Sequence, residues 1–140
     1  MRAIPTILVA VALASAAACT SKPRPAIEPS ATPVTRNRPK SSATLTMLEP
    51  APAAVITGEI LRVRLDLTGG RIILETKTAL RPDEGHIHVL LDGKTVSMAY
   101  GLEQDVRVTK GPHLLQAEYV AADHFPFNPR VVVAATITVQ

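Results

Sequence analysis

The sequence predicts an all-β sandwich of about seven strands, and three observations carry that reading. From Ala43 onward the apolar residues come in short alternating runs, with no convincing helical period. Turn residues cut those runs at Pro50, Pro52, Gly69-Gly70, Asp92-Gly93 and Gly111-Pro112. The chain has no Trp and only two Tyr and two Phe, so its core must rest on Val, Ile and Leu.

Each strand follows from its local pattern. Ala43–Leu48 reads as the first strand and ends at Pro50 and Pro52, which cannot donate to a ladder. Thr57–Leu67 alternates through Ile60, Arg62, Val63, Arg64, Leu65, Asp66 and Leu67, and Gly69-Gly70 turns it into Arg71–Thr76. Gly85–Leu91 leads through Asp92-Gly93 into Lys94–Met98; Asp-Gly supports the positive φ of a two-residue hairpin turn. Asp105–Thr109 is a short strand, and Gly111-Pro112 precedes His113–Val120. The last strand, Val131–Val139, sets Val131, Val133, Ala135, Ile137 and Val139 on one face. Seven or so strands give an immunoglobulin-like sandwich without the antibody-type Cys pair and Trp pin.

The N-terminus carries an address. Arg2 is followed by the apolar run Ala3–Ala18, too short to span a bilayer, ending in Ala16-Ala17-Ala18 before Cys19, the only cysteine. This resembles a bacterial lipoprotein signal over residues 1–18, whose Cys19 is lipidated (palmitate among its acyl groups) and becomes the first mature residue. Ala16-Ala17-Ala18 also fits ordinary A-x-A cleavage, which leaves Cys19 as a free thiol. An unpaired exported thiol is open to stray disulfides, which favours the anchored alternative. The expected location is the outer face of the cytoplasmic membrane or the periplasm.

Residues 19–42 read as a disordered linker with Pro23, Pro25, Pro29, Pro33 and Pro39. Lys22, Arg24, Arg36, Arg38 and Lys40 oppose only Glu28 there, whereas residues 43–140 hold nine basic and eleven acidic side chains. The net +3 of the whole chain therefore belongs to the tether, suited to anionic headgroups or a solvated spacer, and gives no nucleic-acid-binding face.

All four histidines, His86, His88, His113 and His124, lie in the second half of the domain. Period two places His86 and His88 on one face, opposite Ile87, Val89 and Leu91. His113 shares a face with Leu115, Ala117 and Tyr119, and Asp123 precedes His124 as a ligand or orienting group. Imidazole suits copper and zinc, so these five residues are the candidate metal set; structural or solvated histidines are the alternative, and no cofactor is required. Phe125-Pro126-Phe127-Asn128-Pro129 is either a partner-binding tip made by Phe125 and Phe127 or a loop whose rings cap the sandwich.

Gly85-His86-Ile87-His88-Val89-Leu90-Leu91-Asp92, Gly111-Pro112-His113 and Ala122-Asp123-His124-Phe125-Pro126 with Pro129 resemble a family of small exported bacterial Ig-like domains of unknown function. The resemblance implies a sandwich outside the cytoplasm and brings no activity. Ile87 interrupts what is often a longer His run, and Gly111-Pro112 inverts the usual order. Tyr119–Pro126 is more loosely similar to CopC-type copper carriers, whose free N-terminal ligands a lipidated Cys19 would remove.

No phosphate-cradling glycine motif, Cys zinc spacing or Gly-x-Ser-x-Gly elbow occurs. Asp83-Glu84 reads as a solvated turn, and Glu103 and Asp105 as charges on an exposed strand. The sequence thus describes a lipid-anchored binding or accessory module with an envelope protein partner and no catalysis. The alternative is an envelope copper or zinc protein using His86, His88 and His124.

Overall fold

A computed structural model describes residues 37–140. The signal, Cys19 and most of the linker lie outside the described residues. Nine strands form among the described residues: β1 Thr44–Glu49, β2 Ala54–Ile56, β3 Ile60–Thr68, β4 Arg71–Ile72, β5 Glu84–Leu91, β6 Lys94–Ser97, β7 Glu103–Arg107, β8 Gly111–Ala121 and β9 Pro126–Val139. No helix occurs among the described residues. One sheet has the order β1-β3-β7; the other runs β2-β9-β8-β5-β4, with β6 paired to β5.

Alternation decides which side chains meet between the sheets. Leu61, Val63 and Leu65 of β3 point inward against Ile87 and Val89 of β5, Leu115, Ala117 and Tyr119 of β8, and Ile137 and Val139 of β9. The outer face of the smaller sheet is ionic, where Arg62 meets Asp105 at 2.8 Å and Arg64 meets Glu49 at 2.9 Å and Glu103 at 3.3 Å. These pairs are exposed, so they set register more than they add stability.

The β5–β6 turn has Asp92 at φ 51° and Gly93 at φ 79°, the two positive angles that Asp-Gly predicts. Two expectations are corrected. Arg71–Thr76 shortens to Arg71–Ile72, which leaves β3 and pairs in parallel with β5 in the other sheet. Glu84 is not in a solvated turn: its side chain is 7% exposed and bonds Arg71 and, at 3.3 Å, Lys77. Burial opposes its ionisation, but Arg71 and Lys77 outweigh that and hold the carboxyl below its usual range. β2 had no counterpart in the expected strands; its three residues pair in parallel with Ile137–Val139.

Asn37–Ser42, assigned by composition to the linker, lies against the sandwich. Asn128 N–H donates to Pro39 O at 3.1 Å, Ser42 N–H to Pro82 O at 3.1 Å, and Ser42 Oγ to Gly69 O at 2.7 Å.

Candidate metal centre

The site grows from β5. Ile87 and Val89 face the core, so His86 and His88 share the opposite face, and antiparallel pairing sets them beside Val120 and Glu118 of β8. Gly85 precedes them because the backbone there runs tight against β8: a β-carbon would overlap the Val120 carbonyl oxygen and meet the Tyr119 ring at 3.0 Å. Tyr119 in turn lies in the core, stacked on Phe127 at 5.4 Å, its hydroxyl donating to Arg71 O at 2.9 Å with Asp83 O at 3.0 Å. Burial pushes that phenol up to about 12.

The β8–β9 turn brings the third ring. His124 has φ 66°, its N–H donates to Ala121 O at 2.9 Å, and Ala121 N–H donates to Phe125 O at 3.0 Å. Its Nδ1 lies 2.9 Å from His86 Nε2, which in turn lies 3.1 Å from His88 Nε2. One donor atom from each ring thus falls within 4.8 Å of the others. The Tyr100 ring packs 5.1 Å from His86, which is 1% exposed.

The protons do not resolve among these rings. A hydrogen bond between two imidazole nitrogens needs one proton, and His86 Nε2 faces two such nitrogens. If it accepts from both, two donors share its single lone pair, and the proton of His86 sits on buried, unpartnered Nδ1, as it also would with a cation at Nε2. If it donates to one, it offers no lone pair to the other, and buried Nδ1 is again unpartnered. Three imidazole nitrogens within 4.8 Å of one another are a donor set that Cu(II) or Zn(II) accepts. Bonds of 2.0–2.1 Å in tetrahedral geometry separate ligand nitrogens by about 3.3 Å, a few tenths more than the two separations at His86 Nε2.

Burial and the neighbouring rings favour the neutral, ligating form of His86 and His88. Burial, then His124 and His88, bring His86 down to about 4; burial and His124 lower His88, with Glu118 acting against them. Glu118 is itself clasped by Arg130 at 2.6 Å through both oxygens. Thr76 Oγ1 lies 3.1 Å from His124 Nε2; if it accepts the proton there, Nδ1 keeps its lone pair.

Of the five candidate ligands, His86, His88 and His124 come together and two do not. His113 belongs to another corner, with Asp92 and Thr109. Asp123 is clasped by Arg38 at 2.5 and 2.9 Å and also accepts from Phe125 N–H at 3.2 Å; Arg38, the first cause, holds its carboxyl low. The two rings of the proline segment separate: Phe127 is 2% exposed in the core, whereas Phe125 is 55% exposed. Thr76, Tyr100 and Arg38 carried no local sequence signal for this site; Arg38 reads as one more tether charge.

The fold and these side chains define an immunoglobulin-like β-sandwich with a three-histidine group on the outer face of its larger sheet. No family model matches the chain, and no curated protein matches it, so nothing supports the particular family of exported domains it resembles. Among solved structures it is similar to the fibronectin(III)-like modules of Clostridium thermocellum CbhA, at 14% identity and TM-score 0.44, over 69% of this chain and 96% of that one. It is also similar to an engineered protein at 14% identity and TM-score 0.46, over 70% of this chain but only 20% of that one. Neither likeness bears on function.

Proposed function

We propose that this chain is a non-catalytic binding module of the cell envelope whose ligand is a divalent d-block cation, Cu(II) or Zn(II). His86, His88 and His124 are the ligands. The observation that carries the reading is His86 Nε2, which faces a nitrogen of each of the other two rings at 2.9 and 3.1 Å. A bound cation would satisfy all three lone pairs at once, which protons cannot do. Lipidation of Cys19 anchors the module; the apolar run Ala3–Ala18 and the lone thiol after it support this. An envelope protein is the expected partner, and exposed Phe125, next to His124, is the side chain that supports a contact there.

The test is titration of the full chain carrying Cys19→Ser, which removes the only thiol, with Zn(II) and Cu(II). Saturable binding at one equivalent, abolished by His86→Ala with His88→Ala, is expected. No binding tighter than about micromolar would overturn the metal reading. Mass spectrometry of the mature N-terminus checks the anchor, and an unmodified Cys19 rejects it.

A further inference from the structure

We infer that Arg38 is a positioning residue for the three-histidine group, holding the turn at residues 123–126 in the conformation that aims His124 Nδ1 at His86. The inference rests on the metal reading for its ligand, while its geometry stands on hydrogen bonds alone. Arg38 Nε donates to Pro126 O at 2.8 Å, and Nη2 donates to Phe125 O at 2.7 Å and Asp123 Oδ1 at 2.9 Å. Nη1 donates to Asp123 Oδ2 at 2.5 Å. One planar fork therefore grips the residue before His124 and the two residues after it.

His124 itself needs that grip. A φ of 66° is a backbone state that a residue with a β-carbon keeps only when its surroundings hold it. Inside the turn His124 N–H bonds Ala121 O, Ala121 N–H bonds Phe125 O, and Phe125 N–H bonds Asp123 Oδ1 at 3.2 Å; Arg38 adds a grip from outside it on both Asp123 oxygens and two carbonyls. Arg38 comes from far away in sequence, on a segment fixed by Asn128 N–H to Pro39 O and by Ser41 Oγ to Pro82 O at 2.9 Å. Lysine cannot replace it, because an ammonium is a point charge without the fork that meets both carboxylate oxygens and two carbonyls.

The metal site is thus completed by the end of the segment that composition assigns to the tether. Partners of a metal ligand outside the coordination sphere typically change affinity 10- to 100-fold when removed. That range sets the expected effect of losing Arg38.

The experiment uses the full chain with Cys19→Ser, comparing Arg38→Ala, Arg38→Lys, His124→Ala and the Arg38→Ala/His124→Ala double variant. Zn(II) affinity and amide hydrogen exchange of Ala121–Phe125 are read on each. Arg38→Ala should weaken Zn(II) roughly 10- to 100-fold and speed exchange at the His124 amide, with Arg38→Lys between it and the parent. Nitrogen hyperfine coupling from bound Cu(II) should fall from three imidazoles toward two. The double variant should bind no more weakly than His124→Ala. Unchanged affinity and exchange in Arg38→Ala, or a full further loss on top of His124→Ala, would overturn the inference. If the parent binds no Zn(II), the metal reading fails by itself, and exchange at His124 in Arg38→Ala and Arg38→Lys decides whether Arg38 holds the turn.

Discussion

His113 Nδ1 lies 2.7 Å from Oδ2 of Asp92, while the same ring's Nε2 lies 2.8 Å from the carbonyl oxygen of Thr109. Both neighbours are acceptors, and only the imidazolium carries two N–H donors. Asp92 Oδ1 meanwhile accepts Leu114 N–H at 2.8 Å. The arrangement ties the β5–β6 turn to the β7–β8 loop through the ring and favours its protonated form. The Asp92 hydrogen bond, then the Thr109 carbonyl, raise the His113 pKa; His113, then the Leu114 amide, lower that of Asp92.

The sign of the pH dependence follows. His113 binds its proton more tightly when folded, so its contribution is full below the ordinary 6.5 and is lost as pH rises through the raised value. Asp92 contributes above its ordinary 3.8 and loses that as pH falls through the lowered value. The pair is therefore strongest between about pH 4 and 6.5. His113→Ala should lose more stability at about pH 5.5 than at about pH 9, read from urea midpoints. The lowered pKa values of His86 and His88 act in the opposite direction, but both chains share them and they cancel in the difference. An equal loss at the two pH values would show that the ring serves only as packing.

Period two made much of the fold readable. It placed Val63 and Leu65, Ile87 and Val89, and Ile137 and Val139 inward, and put His86 and His88 on the other face. It could not place His124 beside them, because that depends on the His86–Val120 register and on a positive φ inside the four-residue turn 122–125. Outward alternation also suggested solvent for His86, yet Tyr100 and His124 cover it from other segments. β2 was invisible for a similar reason: three residues show no period, and their partners lie at the far end of the chain. Arg38 and Glu84 share this cause, since a charged residue beside prolines or in a turn looks solvated until its distant partners are known.

The two phenylalanines of the proline segment should behave oppositely. Phe127 stacks on Tyr119 at an interplanar angle of 21° inside the core, so Phe127→Ala leaves a cavity and should cost roughly 3–5 kcal/mol. Phe125 is exposed, its ring 5.9 Å from the Arg38 guanidinium carbon. Phe125→Ala should stay within about 0.5 kcal/mol of the parent. Chemical denaturation of both variants measures the contrast. Similar losses would mean that Phe125 is buried in solution or that Phe127 is not.

Metal removal gives the most direct thermodynamic check on the three-histidine group. A cation that binds the folded chain and not the unfolded one stabilises by mass action, about 2.7 kcal/mol when the free ion stands at 100 times its Kd. For a domain of this size that is a rise in Tm of roughly 10–20 °C, reversed by a chelator. The rise should vanish in His88→Ala, because two imidazoles no longer complete the set. His113→Ala should keep it, since that ring bonds Asp92 and Thr109 and faces no other histidine. A shift that survives loss of both His86 and His88 would locate the metal elsewhere. The neutral, desolvated state of His86, held down to about 4, means that no proton need be expelled from that ring at neutral pH. Acid should reverse the shift, as protons compete with the ion for the imidazole lone pairs.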